Sequence, residues 1–391
     1  MLTILGSGLG GYSLAREVRR RDPQRPIRLI TADDAAVYAK PMLSTALAQN
    51  RTPEALVQKT AAVQAADLGL ELHAHSRVIA IDRPARRVVL ADGSGFDYQS
   101  LVLAVGADPR PWSVPGRESL PADCVLTAVN DLDDYRRWRQ ALRPGQRILL
   151  VGAGLIGCEF ANDLAGAGFA VTLADPGPWP LARLLPEALG GLLRRALEQI
   201  GVQVLTGCRI TRLETAANGL PQAIPETGAP LPFHHALSAI GLIPRTGLAQ
   251  AAGLMVAPGG IVVDSWLRTP DPHIFALGDC AAPPSGALPF VAPLLAASKA
   301  LAATLCGTAT PLTLPALPVV VKTPALPVVV CPPPAGGDGG WEVDRLDGCN
   351  ARALFRTPAG IVSGFALTGQ ACEEQRTLAA TLPPWLAAPE T

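Results

Sequence analysis

Two glycine clusters have the residue types and the spacing that bind the pyrophosphate of a dinucleotide. In the stronger one, residues 152–159, glycines at positions 152, 154 and 157 follow the apolar run 148–151. The first glycine permits a tight turn, the second lets the backbone approach a pyrophosphate, and the third lets helix and strand pack closely. A helix that begins here points its free N–H groups at the anion. The same arrangement, with glycines at 6, 8 and 11, follows the apolar run 2–5.

Each cluster is followed by an acidic residue that ends a second apolar strand, which makes the pair more specific than a single glycine motif. An acid about 20 residues further on accepts hydrogen bonds from a ribose hydroxyl. Asp175 has this place after the second cluster. After the first cluster Asp33 and Asp34 both have it, and the sequence does not choose between them. We therefore expect two dinucleotide sites in one chain.

The elements that position these clusters are predicted by apolar runs. The run 101–107 is typical of a strand buried on both faces of a parallel sheet, and Gly106 is expected to lie close to a ligand. A further strand over 274–277 leads to Gly278 and Asp279, whose carboxylate could bind a sugar-like hydroxyl or cap a helix, the commoner role for such a residue. Residues 77–82 and 87–90 predict a small ribbon.

Length and composition set limits on the fold and on the class of protein. A chain of 391 residues exceeds what one hydrophobic core usually serves, so two or three domains are expected. The formal net charge is zero and basic residues form no run, which disfavours nucleic acid and anionic membranes as partners. The first apolar strand begins at residue 2 and no apolar run reaches about 18 residues, so we expect a cytoplasmic protein without membrane insertion.

Cysteine and histidine spacing argues against a metal site or a thiol mechanism. The eight cysteines show neither C-x-x-C nor metal-ligand spacing and are interpreted as free thiols in a reducing compartment. The five histidines show no metal-ligand spacing either. From residue 314 onward, short β-rich runs predict a third, partly antiparallel domain that ends in a short helix.

Taken together, these motifs resemble the pyridine-nucleotide:flavin oxidoreductases with two dinucleotide-binding domains. The likeness lies in segments 6–11, 101–107, 152–159, 239–244 and 269–281, which occur in the family's order. Segments 38–44, 152–163 and 320–324 look most like the branch of bacterial NADH:rubredoxin reductases. One departure is His234-His235, where the family usually has an acidic residue before the strand that leads to Gly241.

The resemblance implies an α/β fold with two Rossmann-like, three-layer ββα domains and a small α+β C-terminal domain. It divides the chain into an FAD-binding domain, 1–112 and 242–313, which is split by an NADH-binding domain, 113–241, and followed by a C-terminal domain, 314–391. The implied activity is transfer of electrons from NADH through FAD to rubredoxin, a small acidic iron protein. Alternatives are a ferredoxin reductase of an oxygenase system, a flavorubredoxin reductase, or, from another class, a flavin-containing redox sensor.

The same resemblance assigns the site residues. Those expected to hold FAD are Gly6, Gly8, Leu9, Gly11, Asp33, Asp34, Lys40, Pro41, Val78, Ala104, Gly106, Gly278, Asp279 and Lys322. Those expected to hold NADH are Gly152, Gly154, Leu155, Ile156, Gly157, Glu159, Asp175 and Gly241.

Three of these residues are expected to act on the reaction itself. Lys40 and Lys322 would lie beside the flavin ring, where a compact ammonium stabilises the negative charge that develops on reduction; otherwise they are ordinary surface lysines. Glu159 is interpreted as a first-turn acid of the second cluster's helix, where it would either interact with the helix dipole or, as in the family, lie near the nicotinamide ribose and the flavin. Hydride transfer depends on orientation, so no proton-transfer role is expected for Glu159.

Two further expectations concern specificity. Asp175 would repel a 2′-phosphate, and no arginine follows it before Arg183, so NADH is preferred over NADPH. Disulfide reductases of the same superfamily carry a cysteine pair beside the flavin, and related enzymes carry one cysteine near the position of Ser44. Neither pattern occurs here, so electrons are expected to leave the flavin directly.

Overall fold

The first of three main sheets surrounds the N-terminal glycine cluster. The structure is a computed structural model that describes residues 1–286, 289–334 and 337–388. All strands of this sheet are parallel, as predicted. Their spatial order is Ile274–Ala276, Ser100–Leu103, Leu2–Leu5, Ile27–Ile30 and Leu70–His73. The last strand of this sheet in sequence, Ile274–Ala276, therefore lies beside Ser100–Leu103, although more than a hundred residues separate the two.

The second sheet surrounds the other glycine cluster and is also parallel. Its order is Leu126–Thr127, His235–Ser238, Arg147–Val151, Ala170–Asp175 and Gln203–Thr206. In each sheet the strand that leads into a glycine cluster, Leu2–Leu5 or Arg147–Val151, lies at an interior position. Its neighbour is the strand after which, or at whose end, the acidic residue lies, Ile27–Ile30 or Ala170–Asp175. The two predicted dinucleotide-binding units are thus built alike.

The third sheet is antiparallel and uses the β-rich runs after residue 314. Its order is Val319–Val321, Val328–Cys331, Val362–Thr368, Asn350–Arg356 and Gly340–Asp347. The short helix Gln375–Thr381 follows it. The prediction of a partly antiparallel C-terminal unit that ends in a short helix is confirmed.

Helices cover the parallel sheets, and short ribbons carry the connections. The α-helices are Leu9–Arg21, Ala61–Leu68, Leu132–Ala141, Leu155–Gly166, Glu187–Gln199, Gly247–Ala251, Val291–Leu305 and Gln375–Thr381. Short 3₁₀ turns are Lys40–Thr45, Glu54–Leu56, Arg117–Ser119, Gly278–Cys280 and Gly369–Glu374. The smaller strands are Val37–Tyr38, Val57–Lys59, Val78–Asp82, Arg87–Leu90, Gly95–Asp97, Ala107–Pro109, Ile210–Thr215, Pro221–Pro225, Leu231–Pro232, Leu242–Pro244, Val256–Ala257, Gly260–Val262 and Ala281–Ala282.

One predicted strand is shorter than expected. The run 101–107 was predicted as continuous, but the parallel strand ends at Leu103. Gly106 then has a φ of +72°, a left-handed conformation that breaks an extended strand. Ala107 opens a different, antiparallel ribbon with Leu242–Pro244, and this ribbon links the two parallel units.

The apolar core joins the units instead of separating them. One large cluster surrounds the first sheet. A second cluster contains Leu43 of the Lys40–Thr45 turn, Leu164 of the helix Leu155–Gly166, and Val321 of the third sheet. Buried apolar surface contributes about 25 cal/mol per Å², so a core shared by three units holds them in a fixed relation. Among the residues that the structure describes, no helix is long and apolar enough to cross a membrane.

Candidate dinucleotide and electron-transfer site

The first glycine cluster has the geometry of an anion cradle. Gly6 has a φ of +110°, and a Cβ added to Gly11 would lie 1.9 Å from the carbonyl oxygen of Gly6. Gly8, in contrast, faces open space, with nothing within 4 Å of an added Cβ. Gly8 is also the N-cap of Leu9–Arg21, with no side-chain cap and no acidic residue in the first turn. The helix N-terminus therefore keeps its N–H groups free for an anion.

The second cluster repeats this geometry. Gly152 has a φ of +104°, and a Cβ on Gly157 would lie 1.8 Å from the oxygen of Gly152. Gly154 faces open space and is an N-cap without a side-chain cap or a first-turn acid. Two long helices in one chain thus begin with unsatisfied N–H groups at an open surface, which fits a bound pyrophosphate at each.

Apolar residues exposed at both helix starts fit the same interpretation. Leu9 is 39% exposed and Ile156 is 46% exposed, each within the first helical turn, and Leu155 beside Ile156 is partly exposed. Large apolar side chains at the entrance of a polar cradle favour a site that a bound molecule covers.

The acidic residues after the second strands differ in how they are held. Asp175 accepts hydrogen bonds from the backbone N–H groups of Ala153, at 2.7 Å, and Gly177, at 2.6 Å. Asp33 accepts one from the hydroxyl of Ser7, at 2.7 Å. Ser7 and Ala153 occupy the same place in the two glycine clusters, so Asp33 is tied to its cradle as Asp175 is.

Asp34 has a different setting. Its carboxylate accepts from the backbone N–H of Ala36 at 2.9 Å, within its own turn. Asp33 also accepts from the N–H of Ala35 in its own turn, so its contact with Ser7 is what distinguishes it from Asp34, and the choice between them for the ribose contact stays a prediction. Both carboxylates lie at the carboxyl edge of the first sheet.

Ala104, Val78, Gly278 and Asp279, also expected at FAD, belong to segments connected to that same edge. Gly6 would place an added Cβ 2.4 Å from the oxygen of Ala104, so the first cradle and the loop after Leu103 touch. The ribbon that begins at Val78 is connected to this edge by the bond from Ser76 N–H to the oxygen of Thr31, at 2.8 Å. Gly278 and Asp279 follow the edge strand Ile274–Ala276.

The helix-capping alternative for Asp279 is wrong. Asp279 lies in the 3₁₀ turn Gly278–Cys280, whereas the next α-helix begins at Val291 with Phe290 at its N-cap. Burial raises the pKa of the Asp279 carboxyl, and the Lys40 ammonium opposes this by lowering it. A half-buried carboxyl at the carboxyl end of a buried strand is suited to bind a hydroxyl-bearing ligand.

Glu159 is not in the first turn of its helix, so that interpretation is corrected. The helix begins at Leu155, which places Glu159 in the second turn, away from the free N–H groups. Glu159 is almost fully buried. One carboxylate oxygen accepts from the backbone N–H of Lys322 at 3.0 Å, and the other bonds the Lys322 ammonium. A buried carboxylate held this way joins the second and third units.

Ser44 completes this contact from the first unit. Its hydroxyl donates to Glu159 Oε2 at 2.5 Å and lies 3.3 Å from the Lys322 ammonium. Ser44 is 2% exposed and belongs to the 3₁₀ turn Lys40–Thr45, which has Pro41 in its first turn. Lys322, Glu159 and Ser44, which we call the junction triad, thus bring together all three units at one point.

The helix Leu155–Gly166 supports the triad with two more polar side chains. Asp163, 3% exposed, accepts from the backbone N–H groups of Leu47, at 3.0 Å, and Ala48, at 2.9 Å. Asn162 accepts from the N–H of Ala325 at 2.9 Å. Asn162 lies three positions after Glu159 and Asp163 four, so all three side chains are on the same face of the helix. This face fixes the loop after Lys40 and the loop after Lys322.

Lys40 is held separately from Lys322. Its ammonium donates to Asn130 Oδ1 at 2.6 Å, and Asn130 donates in turn to the carbonyl of Ala107 at 3.0 Å. Desolvation by burial lowers the pKa of Lys40, and the nearby carboxylate of Asp279 raises it. The structure therefore brings Lys40 close to Asn130 and Asp279, and Lys322 to Glu159 on the helix of the second unit.

Sequence reasoning missed several residues of this region. Ser44, Asn130, Asn162 and Asp163 have no motif of their own, and their partners lie far away in the chain. Ser44 was considered only as a place where related enzymes have a cysteine. No local pattern marks these contacts.

The cysteines are free thiols, and burial raises the pKa of most of them. It raises the pKa of Cys124, Cys280 and Cys372 to about 11 and that of Cys331 to about 12. All eight cysteines are unpaired. Thiols of this kind are neutral and unreactive near pH 7. Within 1–286, 289–334 and 337–388, no cluster of histidine, cysteine and acidic residues could hold a metal ion.

Comparison with known proteins identifies the fold. The model of the pyridine nucleotide-disulphide oxidoreductase family matches residues 1–300. This chain belongs to that family. A second family model, the rubredoxin binding C-terminal domain, matches residues 311–382 of this oxidoreductase.

Similar proteins agree with this assignment. The oxidoreductase is 41% identical to a rubredoxin-NAD(+) reductase of Alcanivorax borkumensis, over 98% of each chain. It is 38% identical to a nitric oxide reductase FlRd-NAD(+) reductase of Aeromonas salmonicida, covering 94% of this chain and 92% of that one. Among solved structures it resembles putidaredoxin reductase in its covalent complex with putidaredoxin, with a TM-score of 0.88, 27% identity and coverage of 98% and 93%. The family, the branch and the α/β fold predicted from the sequence are confirmed.

Proposed function

We propose that this family member is a rubredoxin–NAD(+) reductase, which passes electrons from NADH through bound FAD to rubredoxin. The observation that carries the proposal is the contact of Lys322 with Glu159. Lys322 belongs to the part of the chain that matches a rubredoxin-binding domain, and Glu159 belongs to the helix of the second cradle. The segment that would receive the partner thus meets the segment that would receive NADH.

The residues present fit both cofactors. The cradle at Gly6, Gly8, Leu9 and Gly11 would hold FAD, together with Asp33 and the residues along its sheet edge. The second cradle would hold NADH, together with Asp175 and Gly241. When bound, FAD supplies the ability to accept a hydride and release single electrons, which no side chain has.

The domain bounds 1–112 with 242–313, 113–241 and 314–391 are part of this proposal, and the distribution of strands among the sheets supports them. The first sheet takes strands from 1–112 and 242–313, the second lies within 113–241, and the third within 314–391. Gly241 has a φ of +109° at the carboxyl edge of the second sheet, and its carbonyl accepts from Arg110 N–H at 2.9 Å. This bond joins the two connections between the first and second domains, so both nucleotide sites open beside the same crossing.

The chain's own contribution to the reaction is binding, orientation and charge. Lys40 and Lys322 would supply positive charge near the flavin, which favours a reduced, anionic acceptor, although Glu159 compensates much of the charge of Lys322. Glu159 orients Lys322 and is already fully engaged with it and with Ser44. Its role is to hold groups in place, because hydride transfer depends chiefly on alignment.

NADH is the expected donor. Asp175 is held by two backbone N–H groups, and a 2′-phosphate would meet its carboxylate. Thiols are not expected to take part, because burial raises the pKa of Cys158 in the second cradle's helix and of Cys280 beside Asp279 and so favours their neutral forms. Electrons therefore leave directly for a protein partner.

Rubredoxin is favoured over ferredoxin as that partner by the match of residues 311–382. A small acidic iron protein would be attracted by a local basic patch, since the net charge of this chain is zero. We place the protein in the cytoplasm, where free thiols such as the eight present here persist.

The test compares acceptors with purified protein. NADH should bleach the bound flavin in rapid mixing, and kcat/KM should be higher for rubredoxin than for ferredoxin. Added salt should slow turnover with rubredoxin while turnover with ferricyanide stays nearly constant, since screening weakens attraction between proteins. A colourless protein that cannot be reconstituted with FAD would contradict the proposal. A flavin that NADH does not reduce would instead indicate the redox sensor.

A further inference from the structure

Asn130 connects the second domain to the lysine expected at the flavin. Its side-chain oxygen accepts from the Lys40 ammonium at 2.6 Å, and its side-chain nitrogen donates to the carbonyl of Ala107 at 3.0 Å. Its backbone N–H donates to the carboxylate of Asp134 at 3.0 Å. Asn130 is 6% exposed. The oxygen and the nitrogen of its side-chain amide thus each have a partner, which favours this orientation of the side chain.

The position of Asn130 is set by the helix that follows it. The helix Leu132–Ala141 begins with Asp131 as its N-cap, which accepts from the N–H of Asp134 at 2.7 Å. The apolar side of the helix, including Tyr135 and Trp138, is buried in the apolar cluster that the three domains share. Asn130 therefore belongs to the second domain, whereas Lys40 belongs to a turn of the first.

The two lysines differ in the charge of their partners. Lys322 is paired with the carboxylate of Glu159, so much of its charge is compensated. Lys40 has a neutral amide as its hydrogen-bond acceptor. An amide orients an ammonium without neutralising it, and this leaves positive charge available to an anionic ligand.

The charged groups around Lys40 come from several elements. Asp279, Asp131 and Asp134 raise the pKa of its ammonium, whereas Arg245 lowers it. Desolvation by the surrounding protein is the largest effect and lowers the pKa. Because the side chain at position 130 contacts the Lys40 ammonium, a charged group placed there should change the pKa of Lys40.

We infer that Asn130 is a positioning residue that holds the Lys40 ammonium at the FAD site without neutralising it. Through this contact the placement of charge beside FAD depends on how the second domain is seated against the first. The inference rests on the proposed function for the presence of FAD, but the contact itself can be tested independently of FAD.

The test measures how fast the Lys40 amine is acylated by acetic anhydride over a series of pH values. Peptide mass spectrometry of the purified, FAD-loaded protein quantifies the modification, with exposed Lys299 as the internal reference. Only the neutral amine reacts. Asn130→Ala removes a hydrogen bond to the charged form and should speed acylation of Lys40 about threefold at a given pH. Asn130→Asp places a carboxylate beside the ammonium and should slow it about threefold or more.

Opposite shifts distinguish positioning from general loosening. Both variants lose the bond to Ala107, so damage to the fold alone would change acylation in the same direction in both. Asn162→Ala is the matched control, because Asn162 is another buried asparagine that contacts a different domain, at Ala325. It should leave the profile of Lys40 unchanged. Shifts in the same direction, or none, would overturn the inference.

A second readout tests the link to FAD. Both Asn130 variants should make the midpoint potential of the bound flavin more negative, since one misplaces the positive charge and the other compensates it. Opposite shifts in acylation with an unchanged potential would overturn the placement of Lys40 at FAD and with it the positioning role. A protein without flavin would contradict the proposed function, while the acylation data would still report on the contact of Lys40 with Asn130.

Discussion

Glu159 and Lys322 lie 163 residues apart in sequence and are joined by two contacts, through the backbone N–H and through the ammonium of Lys322. The carboxylate is almost fully buried, with 4% of its side chain exposed, whereas the lysine keeps 29%. The pair fixes the C-terminal domain to the helix that begins at the second cradle. Two residues that would act near the cofactors are therefore also the connection between their domains.

Removing Lys322 should destabilise the protein because it leaves the buried carboxylate of Glu159 without its cation. We expect Lys322→Met to cost about 2 kcal/mol, less than a fully buried pair would, because Lys322 is partly exposed. The double variant Lys322→Met with Glu159→Gln should lose less than the single one. The urea midpoint measured with excess FAD tests this. A double variant less stable than Lys322→Met would contradict the assigned contact.

Two glycines of the second cradle should respond differently to alanine. Gly157→Ala would place a Cβ 1.8 Å from the oxygen of Gly152, so the helix must shift, and the melting temperature should fall. Gly154→Ala meets nothing within 4 Å and should keep the melting temperature. It should nevertheless raise KM for NADH about tenfold, because the methyl group lies where a pyrophosphate approaches the backbone. Unchanged KM in Gly154→Ala would show that NADH binds elsewhere.

Asp175 should determine the choice between NADH and NADPH. Asp175→Asn keeps one oxygen that can accept from the N–H of either Ala153 or Gly177, loses the other of these two hydrogen bonds, and removes the charge that a 2′-phosphate would meet. The ratio of kcat/KM for NADH over NADPH should fall at least about tenfold, which corresponds to about 1.4 kcal/mol. Asp163→Asn is the control, because Asp163 contacts Leu47 and Ala48 and not the cradle. Equal effects of the two substitutions would refute the assignment.

The second domain should lose stability in acid through His235. Burial lowers the pKa of this imidazole, which is 5% exposed and accepts from the N–H of Val125 at 3.1 Å. The unfolded chain binds a proton near pH 6.5, whereas the folded one resists it. Stability is therefore complete above that pH and falls as the pH drops through about 6.5 toward the lowered value.

The melting temperature at pH 7.5 and pH 5.5 checks this dependence. His235→Asn keeps a hydrogen-bond acceptor but cannot be protonated, so it should lose less stability between the two pH values than the natural chain. His234→Asn is the comparison, because His234 accepts from Arg147 N–H at a less buried position. An identical acid-induced loss in His235→Asn and the natural chain would assign the effect to other groups.

Sequence patterns predicted those parts of the protein whose physical causes are local. A glycine cluster between a strand and a helix is recognisable because the close approach of Gly11 to Gly6, or of Gly157 to Gly152, spans only five residues. Apolar runs identified the parallel strands because both faces of such strands are buried. The same patterns supported the family resemblance, which the match over residues 1–300 confirms.

Other features needed the tertiary structure. The helix begins at Leu155, so Glu159 lies in its second turn. The hydroxyl of Ser7 bonds Asp33, a contact that distinguishes this residue from Asp34. The strand predicted over 101–107 stopped at Leu103, because Gly106 adopts a positive φ that composition alone does not reveal.

Two dinucleotide cradles and a separate β-rich C-terminal domain can therefore be recognised without coordinates. The contacts between these parts, of Lys40 with Asn130 and of Lys322 and Ser44 with Glu159, are seen only in the folded chain. The reason is physical. Each cradle is set by steric limits within a few residues, whereas these polar contacts join residues 90 to 163 positions apart and form only when three domains share one core.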